Sequence, residues 1–269
     1  MHGRVLIVAG SDSSGGAGIQ ADIKTVTALR GYAATAITAL TAQNTRGVLS
    51  IHPVPAAFVA KQMEAVLSDI GADCIKTGML HTAAIIEAVG DVIERLAPGV
   101  PLVVDPLMIA KGGERLLKLS AVEALKRVLL LNATVLTPNI PEAEALTGMT
   151  IRDLEDMKHA AEMVHTLGPK AVLLTGGHMR GNMISDVLHD EGGIEVFESA
   201  RVDTPHTHGT GCTLASAIAT GLAQGLSIRH SVVRARAYVR AAILSAPGLG
   251  QGHGPINHAH TVRPFEGSD

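Results

Sequence analysis

Cys212 follows a glycine-rich turn in the segment THGTGCTLAS, which spans residues 207–216. Small residues continue after it, which predicts a helix that begins at about Thr210. Successive backbone N–H groups from Gly209 to Cys212 would then converge on one space and, reinforced by the helix dipole, bind an anion. A phosphoryl group in transfer carries charge on its equatorial oxygens and needs this kind of positioning. The segment therefore indicates an anion site beside a thiol.

Two interpretations of Cys212 follow from the turn. At a helix N-terminus the pKa of a thiol is lowered, so a partial thiolate that removes a proton from an attacking hydroxyl is one interpretation. A small, inert packing residue is the other. The glycine turn favours the first. The chain has only one other cysteine, Cys74. Two distant cysteines predict neither a disulfide framework nor a metal site, and they fit a reducing cytoplasm.

A second glycine-rich segment, VLIVAGSDSSGGAGIQAD, follows the first apolar run of the chain. Residues 16–21 fit the dinucleotide-binding pattern, which also requires an acidic residue about twenty positions later. No Asp or Glu lies between Asp22 and Glu64, so the dinucleotide interpretation fails. The P-loop pattern of ATPases is absent as well. We therefore expect a loop that opens a helix and offers free N–H groups to a polar ligand.

The segment TPNIPEAEALTG allows a structural and a functional interpretation together. Asn139 can cap a helix with Glu142 at its third position, which is a capping-box arrangement. The same two side chains can place an amide and a carboxylate oxygen beside a phosphate-bound Mg²⁺. The sequence does not separate these interpretations.

Three further candidates follow predicted strands. Asp105 ends the run PLVVD, and Lys111 in the loop after it can fold over a polyphosphate, although a solvated loop lysine is commoner. The turn from Thr175 to Gly177 fits the close approach of a nucleotide to backbone, or a simple strand-to-loop turn.

Apolar runs alternate with helical patterns along most of the chain, which predicts one doubly wound, mostly parallel sheet in a single domain over residues 1–269. Strands are predicted at 4–9, 34–41, 74–77, 101–105, 134–137 and 171–175. Helices are predicted at 19–30, 56–70, 82–96, 121–131 and 153–167, and from about 210 and 227, with a hairpin over 185–202 that turns at 191–193. Ligands of open α/β sheets bind outside the carboxyl ends of the strands, where these glycine and polar residues stand.

Composition limits the possible partners. Aromatic residues make up 2% of the chain and Trp is absent, so Val, Ile, Leu, Ala and Met must form the core. The net charge is −3 and no Lys/Arg cluster is present, which predicts neither nucleic acid nor an anionic membrane as partner. The uncharged run 209–228 contains Gly, Thr, Ser and Gln, so it is interpreted as a buried helix and not as a membrane span. The N-terminal run MHGRVLIVAG is interpreted as a strand and not as a signal peptide.

Taken together, the segments resemble the ribokinase-like superfamily and, within it, the hydroxymethylpyrimidine/phosphomethylpyrimidine kinases of thiamine biosynthesis. The resemblance rests on AGSDSSGGAGIQADIKT, ITALTAQNT, IKTGML, VVDPLMIAKGG, TPNIPEAEALTG, GGH, THGTGCTLASA and GHGPINHAH. It implies a three-layer α/β/α fold with a central, mostly parallel sheet and a cytoplasmic homodimer. It also implies Mg-ATP as phosphate donor, with 4-amino-5-hydroxymethyl-2-methylpyrimidine and its monophosphate as acceptors.

The resemblance also implies roles for the acceptor side of the site. Gln43 would bind the aminopyrimidine edge, since an amide donates and accepts at once. Asp22 and the backbone of Gly10 would hold the hydroxymethyl side, and Met79 would pack on the ring.

On the phosphate side, the resemblance implies that Gly209 and Gly211 shape the anion site and that Cys212 is the general base. Most members of the wider superfamily have Asp at the position of Cys212. The other residues implied here are Asp105 and Lys111 near the phosphates, Thr175, Gly177 and Thr210 at ATP or phosphate, and Asn139 and Glu142 at Mg²⁺.

The chain departs from the family pattern at three positions. Thr175 stands where many members have Lys, so no cationic ATP contact is assigned there. Ala259 replaces an aromatic residue of the tail, and Ser14 replaces a glycine of the first loop.

Three alternatives remain open at this point. A pyridoxal kinase activity on the same fold is one, alone or beside the pyrimidine activity, since both acceptors are small hydroxymethyl heterocycles. A thiol enzyme that uses Cys212 as a covalent nucleophile, with His206 or His208 as base, is another, but it leaves the glycine loops unexplained. A silent nucleotide- or precursor-sensing protein is the third, and Cys212, Asn139 and Glu142 argue against it.

Overall fold

The computed structural model describes residues 2–108, 116–117 and 119–263. Lys111, predicted near the phosphates, lies outside the described residues. Within the described part of the chain, nine strands form one sheet in the order β3-β2-β1-β4-β5-β6-β7-β8-β9. The strands are β1 Arg4–Asp12, β2 Tyr32–Asn44, β3 Gly47–Pro53, β4 Cys74–Thr77, β5 Leu102–Val104, β6 Val135–Leu136, β7 Val172–Leu174, β8 Met183–Asp190 and β9 Gly193–Ala200.

Strands β2, β1, β4, β5, β6 and β7 are parallel, and β3 at one edge and β8 and β9 at the other pair antiparallel. This arrangement confirms the predicted mostly parallel sheet and the hairpin at its end. Strand β3 was not predicted. It is an edge strand that ends at Pro53 and exposes Leu49, so it lacks the continuous apolar run that marks the central strands.

Helices cover both faces of the sheet. They are α1 Gly18–Ala28, α2 Ala56–Leu67, α3 Ala83–Leu96, α4 Leu119–Val128, α5 Ile140–Thr147, α6 Leu154–His165, α7 Thr210–Ala223 and α8 Ile228–Leu244. Helices α1, α7 and α8 pack on one face, and α2 to α6 pack on the other. The architecture is therefore the predicted three-layer α/β/α fold.

Strand β1 shows how the two cores form. Successive side chains of a strand point to opposite faces, and here Leu6 and Val8 join the core under α2 to α6. Val5, Ile7 and Ala9 join the core under α1, α7 and α8. Complete burial of such a side chain stabilises the fold by about 1.5–3 kcal/mol.

The uncharged run is confirmed as a buried helix. Residues 212–221 of α7 are all buried, and the small side chains allow close packing against the sheet and against α8. Among the described residues, no helix has both the length and the apolar character needed to cross a bilayer.

The β7–β8 pair depends on a glycine, which gives a test of the topology. A Cβ at Gly176 would lie 2.0 Å from the carbonyl oxygen of Ser185. We expect Gly176→Ala to lower the free energy of unfolding by about 2–3 kcal/mol, because one backbone segment must shift. Gly177→Ala is the matched control, since a Cβ there meets no described atom within 4 Å. Thermal denaturation measures both variants, and an equal Tm for the two would contradict the described packing.

Candidate active site

The carboxyl ends of the parallel strands bring the predicted residues to one edge of the sheet. Gly10 lies in a register shift near the end of β1, and Asp105 directly follows β5. Asn139 and Thr175 form an isolated parallel bridge just beyond the ends of β6 and β7. The chain therefore gathers most of its candidate residues where open α/β sheets bind ligands.

Gly209 caps helix α7, and its φ of +85° is a left-handed conformation that favours glycine. A Cβ at this position would lie 1.9 Å from the carbonyl oxygen of Gly16 in the first glycine loop. Thr210 ties the turn together, because its hydroxyl donates a hydrogen bond to the carbonyl of Thr207 at 3.2 Å. The two glycine segments thus meet backbone to backbone, and the N-terminus of α7 opens beside their contact.

The first loop does not offer its N–H groups to a ligand, so that prediction is wrong. The carboxylate of Asp12 accepts hydrogen bonds from the backbone N–H groups of Ser14, Gly16 and Ala17, at 2.8, 3.2 and 2.8 Å. It also accepts one from His208 Nε2 at 2.8 Å. Burial by itself raises the pKa of Asp12, but the hydrogen bonds from His208 and Ser14 outweigh burial and lower that pKa to about 2.

The hydrogen bond between Asp12 and His208 connects the first glycine loop to the residue that precedes the α7 turn. The sequence analysis assigned neither residue this role. The only available signal was their position, since Asp12 lies inside a glycine loop and His208 immediately precedes another. An Asp among glycines is a common acceptor for local N–H groups.

Cys212 lies in the first turn of α7, as predicted, and 5% of it is exposed. Burial, together with the charges of Asp22 and Asp105, raises its pKa to about 12. The ammonium of Lys76 and the N–H of Gly18 act in the opposite direction. The predicted lowering of the Cys212 pKa is therefore wrong, because burial beside two carboxylates outweighs the helix terminus, and the thiolate is the minor form at neutral pH.

A fully buried ion pair lies beneath Cys212. Lys76 Nζ is 2.9 Å from Asp22 Oδ1, and neither side chain has exposed surface. Ser216 Oγ donates a second hydrogen bond to the same oxygen at 2.6 Å. Asp22 thus supports the site from inside the core. The contact of Asp22 with the hydroxymethyl side of an acceptor, which the resemblance implies, stays a prediction; Asp22 Oδ2 is buried and has no hydrogen-bond partner among the described residues.

Sequence reasoning missed Lys76. The signal was present, because Lys76 is a charged residue inside the four-residue strand CIKT at the functional edge of the sheet. Lysines are almost never fully buried unless they are paired.

Gly10, Met79 and Gln43 lie around the same end of β1. A Cβ at Gly10 would lie 3.0 Å from Met79 Sδ, and Met79 packs with Ala39 and Leu116. Gln43 Oε1 accepts a hydrogen bond from Thr41 Oγ1 at 3.1 Å, and Gln43 Nε2 is 3.5 Å from His208 Nε2. That imidazole nitrogen donates to Asp12 and cannot also accept, so the amide N–H₂ of Gln43 remains available to a ligand.

The predicted capping box is present at the start of α5. Asn139 Oδ1 accepts from the N–H of Glu142 at 3.0 Å, and Glu142 Oε2 accepts from the N–H of Asn139 at 2.9 Å. Burial and the neighbouring charge of Asp105 raise the pKa of Glu142 to about 8. Asp105 Oδ2 has no hydrogen-bond partner among the described residues, and it lies 4.0 Å from where a Cβ of Gly211 would be. Two buried carboxyl groups therefore lie opposite the α7 turn, and burial raises the pKa of both.

The residues predicted for Mg²⁺ fit that ion. Carboxylate and amide oxygens are hard ligands, and a divalent cation would offset the charge shared by Glu142 and Asp105. No group of three or more His, Cys, Asp or Glu side chains in the described chain can hold a metal by itself. This suits Mg²⁺, which usually binds through one or two protein ligands together with phosphates and water.

The turn after β7 is held by a residue that the sequence analysis did not assign. Arg201 donates to the carbonyls of Gly177 and Gly181 at 3.0 and 2.7 Å, and also to the carbonyl of Met179. The N–H of Thr175 donates to the carbonyl of Pro138 at 2.9 Å, next to Asn139. Thr175 and Gly177 thus stand at the sheet edge where the resemblance expects ATP.

The segment 254–258 packs against the turn that begins α7. The N–H of His208 donates to the carbonyl of Gly254 at 3.1 Å, and His258 Nε2 is hydrogen-bonded to Thr213 Oγ1 at 2.9 Å. Burial, together with the charges of Lys24, His260 and His208, lowers the pKa of His258 to about 4. His258 is therefore neutral near pH 7, and it fixes the residue next to Cys212 through an uncharged hydrogen bond.

A family model described as phosphomethylpyrimidine kinase matches residues 12–257, which include the glycine loops, the capping box and the Cys212 turn. The chain belongs to the phosphomethylpyrimidine kinase family. The predicted family is thus confirmed.

Curated relatives in this family are similar over nearly the whole chain. A hydroxymethylpyrimidine/phosphomethylpyrimidine kinase of Bacillus subtilis is 46% identical, with 95% of this chain and 94% of the relative covered. The kinase of the same name from Haemophilus influenzae is 47% identical, with 95% and 96% covered. A thiamine biosynthesis bifunctional protein of Geobacter sulfurreducens is 54% identical over 96% of this chain, but the chain spans only about half of that protein, 52%.

Solved structures confirm the ribokinase-like fold. The phosphomethylpyrimidine kinase of Clostridium difficile has a TM-score of 0.79 at 42% identity, with 89% of this chain and 99% of that chain covered. The pyridoxal kinase of Staphylococcus aureus in complex with ADP has a TM-score of 0.90 at 36% identity, with 98% and 96% covered. The fold is therefore shared between phosphomethylpyrimidine kinases and pyridoxal kinases.

Substitutions of Gly209 and Gly211 in the α7 turn test stability and catalysis separately. We expect Gly209→Ala to lower the free energy of unfolding by about 2 kcal/mol or more, because the methyl group meets the backbone of Gly16 at a left-handed residue. Gly211→Ala meets only Asp105 Oδ2, at 4.0 Å, and should leave stability within about 0.5 kcal/mol. Its methyl group lies in the anion site, so we expect kcat to fall about tenfold or more. Chemical denaturation and steady-state kinetics test the pair; full activity in Gly211→Ala would contradict an anion site at this turn.

Proposed function

We propose that this chain transfers the γ-phosphoryl group of ATP to the hydroxymethyl oxygen of 4-amino-5-hydroxymethyl-2-methylpyrimidine, and a second phosphoryl group to the resulting monophosphate. The observation that carries the proposal is the α7 turn, where the left-handed Gly209 begins a helix that has Cys212 in its first turn, an arrangement that supports an anion site beside a thiol. Family membership supports the same activity, since relatives covered along nearly their whole length are named for both substrates. Structures of related kinases with ADP and AMP-PCP support ATP as donor.

In the proposed reaction the acceptor oxygen forms a bond to the γ-phosphorus while the bond from that phosphorus to ADP breaks. The N–H groups of the α7 turn face the transferring oxygens and stabilise their charge. Cys212 in its thiolate form accepts the proton of the acceptor hydroxyl. When bound, Mg²⁺ would neutralise charge on the phosphates, and Glu142 and Asn139 are the residues proposed to hold it.

The acceptor side favours an aminopyrimidine. A ring nitrogen next to an exocyclic amino group presents an acceptor beside a donor, and the Gln43 amide is complementary to both. The N–H₂ of Gln43 is available because His208 Nε2 already donates to Asp12. Gly10 and Met79 line the same space, where Met79 is proposed to pack on the ring.

Pyridoxal remains the second candidate acceptor. A pyridoxal kinase structure in complex with pyridoxal has a TM-score of 0.90 at 36% identity to this chain. The thiol-enzyme alternative loses its support, because His208 Nε2 binds Asp12 while the groups that face Cys212 are Lys76, Asp22 and Asp105.

Side-by-side assays test the proposed function. ATP consumption is measured with the pyrimidine alcohol, with its monophosphate and with pyridoxal, at equal concentrations. We expect turnover with both pyrimidines and a lower kcat/KM with pyridoxal, which has no amino group for Gln43 Oε1 to accept from. Absence of turnover with both pyrimidines would refute the proposal, and faster turnover of pyridoxal would make the second candidate the main activity.

A cysteine pair tests the proposed base. We expect Cys212→Ala to lower kcat by about 100-fold or more with little change in KM, because general-base catalysis is lost while the binding contacts remain. Cys74→Ala is the matched control, since Cys74 is a buried thiol at the start of β4, the opposite end of that strand from the site.

The pH profile adds a second measurement on the same variants. Because the pKa of Cys212 is raised to about 12, the thiolate fraction increases throughout the range from neutral to alkaline pH. We therefore expect kcat/KM of the parent to rise with pH from about 7 to 9, and this rise to disappear in Cys212→Ala. A profile that is unchanged by the substitution would return Cys212 to a packing role.

Three expectations on organisation stay predictions. They are a single kinase domain over residues 1–269, a homodimer and a cytoplasmic location. Light scattering of the purified chain measures the oligomeric state directly.

A further inference from the structure

The proposed reaction does not use Lys76, which is the largest fully buried side chain among the described residues. Its ammonium is paired with Asp22 at 2.9 Å and lies close to Gly78, where a Cβ would be 3.1 Å from Nζ. A buried ion pair adds little net stability over apolar residues of equal volume, because desolvation offsets the attraction. The fold alone therefore gives no reason for a charge at this position.

Helix α7 connects the ion pair to Cys212. Ser216 donates to Asp22 Oδ1 at 2.6 Å, and Cys212 is four residues before Ser216 on the same helix. Residues four apart lie one above the other on one helical face. Cys212 therefore lies directly above the residue that contacts the pair, on the face that α7 turns toward α1 and β4.

The charges that face Cys212 come from three elements. Asp22 belongs to α1, Lys76 to β4, and Asp105 follows β5. Two of these groups are carboxylates, which oppose a negative charge on the sulfur. Lys76 is the cation of the three, and in a buried site its field is weakly screened.

We infer that Lys76 is a positioning residue for phosphoryl transfer: its buried ammonium stabilises the thiolate of Cys212, and Asp22 limits that stabilisation. The inference rests on the proposed role of Cys212 as base. Lys76 holds no substrate atom in this assignment and acts through the sulfur.

The two ends of the ion pair must then act on Cys212 in opposite directions. Lys76→Met removes the cation and should make the thiol less acidic. Asp22→Asn keeps the shape, removes a carboxylate and leaves Lys76 to interact with the sulfur, so it should make the thiol more acidic. A purely structural role of the pair predicts the same direction of change for both variants.

Alkylation of Cys212 by iodoacetamide measures this without any substrate. Well below the pKa, the rate constant is proportional to the thiolate fraction, so one unit of pKa appears as about a tenfold change in rate. The rate is followed at pH 8 by mass spectrometry of the peptide that contains Cys212. We expect about tenfold slower alkylation in Lys76→Met and several-fold faster alkylation (about threefold or more) in Asp22→Asn, by the same relation.

Thr77→Val is the matched control. Thr77 is also fully buried in β4, next to Lys76, and its hydroxyl has no hydrogen-bond partner in the part of the chain that the structure describes. The substitution changes no charge and little volume, so alkylation should stay within about twofold of the parent, because only a change in the thiolate fraction alters the rate.

If an unpaired buried charge prevents a single variant from folding, the double variant Lys76→Met/Asp22→Asn still tests the inference. It leaves no unpaired charge, and alkylation should still be slower than in the parent, because Lys76 is the stronger of the two influences on the sulfur. Equal or faster alkylation in the double variant, or a shift in one direction for both single variants, would overturn the inference. Loss of pyrimidine turnover in the parent enzyme would instead refute the proposed function, and the alkylation rates would be unaffected by it.

Discussion

The buried ion pair between Lys76 and Asp22 is the interaction on which the rest of the site depends. It joins α1 to β4 and, through Ser216, to α7. The site must receive a polyanion, yet Asp22, Asp105 and Glu142 all lie at or beneath its floor. Lys76 offsets part of that charge permanently from inside the core. The N–H groups at the start of α7 are proposed to offset a further part of the charge of the polyanion. The divalent cation proposed beside the carboxylate oxygens would offset the rest.

The second constraint is the contact between the two glycine segments. A side chain at Gly209 would collide with the backbone of Gly16, and a side chain at Gly16 would collide with the ring of His208. Neither position therefore has room for a side chain. The hydrogen bond from His208 to Asp12 locks the same contact, since the carboxylate of Asp12 also collects the N–H groups of its own loop. The first loop therefore holds α7 in place, and the N–H groups proposed to bind an anion are those of α7.

The sequence was sufficient for the sheet, the layers and the location of the site, since apolar runs followed by glycine or polar residues reflect parallel strands and their carboxyl ends. The capping box at Asn139 was also readable, because it depends on residues three positions apart. Strand β3 was missed because an exposed edge strand has no continuous apolar pattern. The pKa of Cys212 was predicted in the wrong direction for a different reason. Its neighbours Lys76, Asp22 and Asp105 come from distant parts of the chain, and local sequence shows the helix terminus but not the burial.

The contact of the α7 turn with the segment 254–258 has a consequence for biosynthesis. Asp12 binds His208, which is 196 residues later, and Thr213 binds His258, which is 45 residues after Thr213. A nascent chain on the ribosome can form β1 and its loop early, but the turn that carries Cys212 acquires its last support only after His258 has left the exit tunnel. Contacts of such high sequence separation form late in folding. A chain that lacks residues 254–258 therefore holds Cys212 in a turn without its full support, so the site is completed only after those residues have been synthesised.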